Sequence, residues 1–335
     1  MLFLVKVLLT GPFGNVGLST LQELLKRNHD IRVLDIKTKK NRRIAKNYND
    51  QVEIYWGDIR NYKVVEKAVS GRDVIIHTAA IIPPLADKKP KFAYSVNVGG
   101  TSNIIEAMQN QPQKPKIIFT SSIAIYGDRL ENPLIRPIDP PNPNPNDEYA
   151  KQKLSCEEII RNSRLKWAIF RLTYIVSTNK LQMNPLMFEM PLDTFIEICD
   201  TKDVGYALAN AVETDEIWGE ILHIAGGERC RISYREYLNE MMDIFGIGAD
   251  FLPEEAFSKK GFHCGFMTTI KSQRLLNYQR HTLDDYFSDV RKKVAVSRLF
   301  IMMFRPIARK YLLSKSDYYR KYLNSINFPK MSSDF

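Results

Sequence analysis

The sequence predicts an α/β fold: a doubly wound parallel sheet joined to a smaller mixed α/β unit. Three observations carry that prediction. A short apolar run enters the glycine-rich turn Thr10-Gly11-Pro12-Phe13-Gly14-Asn15-Val16-Gly17, and a leucine-striped helix leaves it. Short apolar runs then alternate with helix-patterned segments as far as Arg171. The chain has 335 residues, 44% hydrophobic and 11% aromatic, which suits a sizeable core and room for a second unit.

The elements follow in order. Leu2 to Leu9, with Val5 and Val7, reads as a buried parallel strand, and leucines at 18, 21, 24 and 25 keep one helix face apolar. The glycines therefore sit where strand becomes helix. A missing Cβ lets the backbone turn tightly and lets a pyrophosphate approach the helix N–H groups. An ordinary turn uses the same glycines; the strand–helix setting and an acid downstream favour nucleotide binding. That acid, Asp35, ends a second strand from Ile31. It can accept both ribose hydroxyls and would repel a 2′-phosphate, so it favours NAD over NADP. Lys37, Lys39 and Lys40 weaken that preference, and a strand-end turn is the bland alternative. Lys37 to Lys46 reads as a solvated basic loop and helix start.

Val52–Trp56 is a third strand, with Asp58 placed to meet an adenine amino group. Val74–Ala80 is a fourth, whose small terminal residues leave space for a dinucleotide. His77, inside that apolar strand, reads as a core residue. Ile81-Ile82-Pro83-Pro84 is expected to form a loop over the cofactor. Ala93–Met108 reads as a helix; Gly99 and Gly100 make sense there if a backbone or cofactor comes near. Lys116–Ser122 is a fifth strand ending in three hydroxyls, and Pro133–Asn146 a long loop. A helix runs from Asp147 through Ile160, with Tyr149 and Lys153 on one face, and Lys166–Arg171 is a sixth strand.

After Tyr174 the pattern changes. Ser177–Pro191 has no period, and Phe195–Cys199 reads as a strand. Asp203–Val212 reads as a helix capped by its leading acid. Gly219–Ala225 is a strand, and Ser233–Phe245 a helix with a Ser233/Glu236 capping box. The predicted organisation is a nucleotide-binding unit over 1–175, with 196–227 returning to it. A substrate-binding part covers 176–195 and 228–290, and a basic amphipathic tail covers 291–335.

Composition narrows the function. The net charge is +10, but Tyr286–Phe335 holds eleven Lys/Arg against three Asp, so the remainder is nearly neutral and a nucleic-acid-binding core is not expected. Cys156, Cys199, Cys230 and Cys264 are scattered, without a metal-binding or disulfide pattern, which fits a reducing cytoplasm. No metal site is expected, and the N-terminal apolar run is too short for a signal peptide.

The chemistry-bearing constellation is Ser122, Tyr149 and Lys153. A phenol titrates near 10 and is a poor base at neutral pH. Lys153, one turn after Tyr149, is expected to lower that value, and Ser122 to hold a substrate oxygen while hydride leaves for a cofactor. A Tyr-x-x-x-Lys pair alone is a common chance match; its place after a nucleotide-binding half gives it weight.

The motifs Thr10-Gly11-x-x-Gly14-x-x-Gly17, Asp35, Asp58-Ile59, His77-x-Ala79-Ala80, Asn97-x-Gly-Gly-Thr101, Ser121-Ser122 with Tyr126-Gly127, Tyr149-x-x-x-Lys153, Arg171 and Asp203-Val204 occur in one order. Together they resemble the extended short-chain dehydrogenase/reductases, in the NAD-dependent epimerase/dehydratase branch, UDP-glucose 4-epimerase-like. The resemblance covers the first 227 residues and runs more loosely to about Val290. It implies a Rossmann-type sheet and a dinucleotide held by Gly11, Phe13, Gly14, Asn15, Val16, Asp35, Asp58, Ile59, Thr78, Ala79, Ala80, Asn97, Tyr149 and Lys153. It also implies Tyr149 as acid/base with Ser122 as partner, a nucleotide-sugar substrate, and a homodimer. Dehydratases of the family carry an Asp-Glu pair where this chain has Ile123 and Ala124, so dehydration is not expected. Leu172-Thr173-Tyr174 replaces the Asn that usually seats a UDP-sugar in the epimerases.

The expected activity is an NAD-dependent epimerase acting by transient hydride transfer. The alternatives are a dehydrogenase or reductase of a sugar, steroid-like or lipid-linked alcohol, and a non-catalytic NAD-sensing regulator. Residues 294–313 mix large apolar side chains with Arg298, Arg305, Arg309 and Lys310, divided by Pro306. That is the composition of a peripheral membrane contact; a helix packed on the sheet or a dimer contact are the alternatives.

Overall fold

A computed structural model describes residues 4–181 and 184–327. Strands β1 (Lys6–Thr10), β2 (Asp30–Asp35), β3 (Glu53–Trp56) and β4 (Val74–His77) alternate with helices α1 (Asn15–Leu24), α2 (Lys39–Ala45) and α3 (Tyr62–Val69). Next come α4 (Leu85–Lys88), α5 (Pro90–Gln109), β5 (Lys116–Ser122), β6 (Leu134–Ile135), α6 (Glu148–Arg161), β7 (Trp167–Leu172) and β8 (Tyr174–Val176). The chain continues through β9 (Phe195–Asp200), α7 (Thr201–Ala211), β10 (Ile221–Ile224), β11 (Arg231–Ser233), α8 (Tyr234–Ile244), β12 (Phe266–Met267) and α9 (Ile270–Leu276). It ends in α10 (Leu283–Met303), α11 (Arg305–Leu313) and α12 (Asp317–Asn327).

Seven strands form one parallel sheet in the order β3-β2-β1-β4-β5-β7-β10. Side chains alternate between its faces, and both faces are covered, so the strand centres are mostly apolar. Val7 and Leu9 of β1 join Val33, Ile76, Ile118 and Phe170 in a core shared with α1 and α7. Leu8 joins Leu34, Ile75, Ile117, Phe119 and Ile169 under α3, α5 and α6. The order of connection reverses between β1 and β4. In sheets of this kind that reversal opens a crevice at the carboxyl ends of the strands.

A second core is rich in aromatic residues. It gathers Phe188, Tyr234, Tyr237, Phe257, Tyr286 and Phe287 beneath a small sheet, β8-β9-β11. Of the stretch expected to return to the first unit, α7 packs on α1 and β10 joins the parallel sheet. β9 instead pairs with β8 and β11.

Two expectations need correction. The Pro133–Asn146 loop contains β6, which pairs with β12. The cap of α7 is Asp200, which accepts from Lys202 N–H at 2.8 Å; β9 runs as far as Asp200 and turns there. Asp203 lies inside α7 and accepts from the N–H groups of Arg280 and His281, both at 3.0 Å. The first strand is seen from Lys6; Leu2 and Phe3 lie outside the described residues, as do Gln182 and Met183 of the aperiodic segment and 328–335 of the tail.

Candidate active site

Gly11 leaves β1 with φ of +70°, and a Cβ there would meet Ala79 Cα at 2.8 Å. Only glycine lets β1 turn this close to the end of β4. A Cβ on Gly17 would stand 2.0 Å from the Gly11 carbonyl oxygen, so α1 sits directly on the turn. The residue before α1, Gly14, is exposed and offers no side chain to its first-turn N–H groups, and Asn15 and Val16 are partly exposed. An anion is the partner such a helix start takes. Phe13 faces the core, 5.6 Å from the Trp56 ring, and contributes its backbone. Its N–H donates to Asp35 Oδ2 at 3.2 Å. Asp35 also accepts from Ile36 N–H at 2.7 Å and Asn41 Nδ2 at 3.0 Å. Burial pushes its carboxyl above the usual range against those bonds and the nearby Lys40.

Other predicted contacts are already engaged within the chain. Asp58 grips the Arg60 guanidinium, at 2.6 Å for the shortest contact, and is held below the usual carboxylate range by it. Ile59 is buried and fills the space beside Gly100, where a Cβ would lie 2.4 Å from its Cδ1. The near approach that Gly100 permits is thus to a side chain; beside Gly99 there is open space. Thr78, Ala79 and Ala80 are partly exposed at the end of β4, with Thr78 Oγ1 donating to Thr10 O at 2.7 Å. Asn97 is buried. It accepts from Ile81 N–H at 2.7 Å and donates to Ile81 O at 2.9 Å, while Gln152 accepts from it at 2.8 Å. It therefore pins the loop that follows β4. His77 is a core residue as expected, wedged between Thr10 Oγ1 at 2.7 Å and Thr101 Oγ1 at 3.1 Å. Burial drives its imidazole down to about 3, so it is neutral at physiological pH.

Ser122 ends β5, and its hydroxyl accepts from Ala124 N–H at 3.2 Å beside the Tyr149 phenol. Tyr149 is in the first turn of α6, one turn before Lys153. The Lys153 Nζ donates to Thr120 O at 2.6 Å and stands 4.6 Å from the Phe119 ring centroid and 5.8 Å from that of Tyr149. The lysine is buried, while Ser122 and Tyr149 are partly open to solvent. Burial pushes the ammonium down to about 8. The phenol does not follow the sequence expectation: burial, reinforced by the charge of Asp147, raises it, and only the neighbouring Ser122 hydroxyl opposes. A buried lysine that is itself partly neutral near pH 8 is a weakened source of positive potential.

Sequence reasoning missed what holds α6. Asp147 caps it through Ala150 N–H at 2.9 Å, and His263 Nδ1 reaches Asp147 Oδ2 at 2.9 Å from the second unit. Arg171 makes a buried two-bond pair with Glu157, at 3.0 and 2.7 Å, and donates to Tyr126 Oη at 2.5 Å. These residues are structural ties between β7, α6 and the turn after β5. An acid just before a helix is a readable cap signal; a histidine distant in the chain is not.

The glycine turn lies at the end of β1 and the Ser122–Tyr149–Lys153 group at the end of β5. Only β4 separates them, a span of about 10 Å. The predicted residues thus share the carboxyl edge of the sheet. A cavity of about 530 Å³ lined by Trp167 and Trp218 lies at the opposite edge, where β7 begins.

The sequence profile of the NAD dependent epimerase/dehydratase family matches residues 7–187. The chain is 29% identical over 163 residues to D-erythronate dehydrogenase of Haemophilus influenzae, covering 47% of this chain and 50% of that protein. It is 35% identical over 153 residues to UDP-glucose 4-epimerase of Lacticaseibacillus casei, covering 45% and 44%. The chain thus spans about half the length of these curated relatives. Among solved structures, UDP-glucose-4-epimerase from Stenotrophomonas maltophila with bound NAD and formylated UDP-arabinopyranose superposes with a TM-score of 0.72 at 20% identity, over 88% of this chain and 99% of that one.

Proposed function

This chain belongs to the NAD dependent epimerase/dehydratase family, and from that premise we propose that it is an NAD-dependent epimerase of a nucleotide sugar. One observation carries the reading: a serine, a tyrosine and a buried lysine meet one strand away from a glycine turn at the switch point of the sheet. The strand ends fit the cofactor, since a Cβ at Gly11 would close the turn and the α1 N-terminus lacks a side-chain cap. Gly11 to Val16 would take the pyrophosphate, Asp35 a ribose, and Thr78 to Ala80 the middle of the dinucleotide. NAD, once bound, supplies the acceptor and donor of hydride. Ser122 holds the reacting hydroxyl of the substrate. Tyr149 removes that proton and later restores it, and Lys153 supplies positive charge behind the phenol. Ile123 and Ala124, buried and without ionisable groups, leave no second acid/base pair for dehydration.

The likeness to D-erythronate dehydrogenase favours a second reading, net oxidation or reduction of a small hydroxylated substrate. Tyr149→Phe tests what the two share. It should lower turnover by about 10²–10⁴-fold, measured with UDP-glucose and D-erythronate, while NAD still binds. Unimpaired turnover would remove Tyr149 from the mechanism. Purified protein that keeps stoichiometric NAD through turnover supports the epimerase; a requirement for added NAD in proportion to product supports the dehydrogenase.

A further inference from the structure

We infer that the outer face of the C-terminal helices is a docking surface for an anionic lipid bilayer. The first half of α10 is anchored: Tyr286, Phe287, Val290 and Val294 enter the second core. Beyond Val294 the helix turns its other side outward. Val296, Leu299, Phe300 and Met303 follow one another at i, i+3, i+4 and i+7, and each is 64–76% exposed. That spacing makes one stripe along the helix, opposite the face seated by Val294 and Ile301. The stripe continues on α11 with Ile307 and Tyr311, both at least 60% exposed, and on α12 with Leu323 and Ile326. Leu312 and Leu313 fix α11 to the body, so the outward direction of the stripe is held by packing.

Charge decides the occupant. Residues 291–327 contain ten Lys/Arg and one acid, Asp317. Among the described residues, Lys293, Arg298, Lys310, Lys315 and Lys321 form no ion pair. A second copy of this face would bring the same excess positive charge against it, which repels. A nucleic acid would leave the apolar stripe in water. A bilayer with anionic headgroups satisfies both parts at once: aliphatic and aromatic side chains enter the acyl boundary, and long basic side chains reach the phosphates. The shape is that of a helix lying on the surface, since no described helix is long and apolar enough to cross a membrane.

This inference does not depend on the epimerase reading, and its test keeps the two apart. The full-length protein is floated with phosphatidylcholine vesicles and with vesicles that also contain phosphatidylglycerol. The double variant Leu299→Ser/Phe300→Ser and the charge variant Lys293→Glu/Lys310→Glu are run beside it, with circular dichroism confirming their fold. The wild type should float with the anionic vesicles and lose binding at high salt. Each variant should bind at least tenfold more weakly, with NAD binding unchanged. Absence of flotation with anionic vesicles overturns the proposal. So does undiminished binding by both variants, or capture of the wild type by polyglutamate but not by vesicles, which would indicate an acidic protein partner instead.

Discussion

Lys153 is a buried base whose ordinary pKa near 10.5 is pushed down to about 8, first by desolvation. The sign of its effect on stability follows from proton counting. Between pH 8 and 10.5 the unfolded chain holds a proton that the folded protein has released, so stability rises with pH across that window. Below pH 8 the folded state must charge a buried amine and its advantage is smallest. Lys153→Met removes this titration. In urea unfolding of nucleotide-free protein, the wild type should gain about 1 kcal/mol relative to that variant between pH 7 and pH 9. A difference that stays flat with pH would mean that the ammonium is not desolvated. Burial likewise raises the Tyr149 phenol in the protein alone, and the charge of Asp147 adds to it.

At the scale of elements, the glycine turn is positioned by the seat of α1 on α7. Gly205 of α7 meets α1 so closely that a Cβ would lie 2.5 Å from the carbonyl carbon of Ser19. Helix propensity alone favours Gly205→Ala by about 1 kcal/mol. The backbone contact opposes it, and overpacking of this kind costs about 1–3 kcal/mol. The variant should therefore be less stable in urea and bind NAD more weakly, because α1 carries the phosphate-side turn. A more stable Gly205→Ala protein would show that the helices yield without strain. Elements such as these were legible because their signals are local: unbroken apolar runs for β1, β4 and β5, and the capping box of α8, which forms as read. β11 and β12 carry no such signal, since two or three residues become strand only by meeting Glu197 in β9 and Pro133–Ile135. The cap of α7 was misread because Asp200 and Asp203 have the same chemistry, and only the end of β9 selects between them. In the site, Tyr149 and Lys153 were readable from their helical spacing. The engagement of Asn97 with Ile81 and of Asp58 with Arg60 was not, because both acids and amides are equally suited to a ligand or to their own backbone.

For the molecule as a whole, one carboxylate gathers several strands and turns at the joint between the two cores. Glu197 is fully buried in β9 and accepts from Gly227 N–H at 2.9 Å, Arg231 Nε at 3.0 Å and Met267 N–H at 3.0 Å. Gly227 follows the last strand of the parallel sheet, Arg231 lies in β11, and Met267 lies in β12. Burial raises the carboxyl, and these donors pull it back toward its charged form. Glu197→Gln keeps the volume but replaces one acceptor oxygen with an NH₂ group that faces existing donors, and leaves Arg231 only the exposed Glu228, at 3.9 Å, as counter-charge. Breaking a buried pair on one side costs about 3–5 kcal/mol. Where that loss falls can be observed. The three tryptophans, Trp56, Trp167 and Trp218, all belong to the parallel-sheet unit, whereas helices contribute to far-ultraviolet dichroism from both units. In the wild type, fluorescence and dichroism should follow one unfolding curve in urea, as a cooperative structure requires. In Glu197→Gln the dichroism should begin to fall at lower urea than the fluorescence, because the second core releases first. Superimposed curves with an unchanged midpoint would mean that the two cores are held together elsewhere, through the His263–Asp147 contact or the Asp203 bonds to Arg280 and His281.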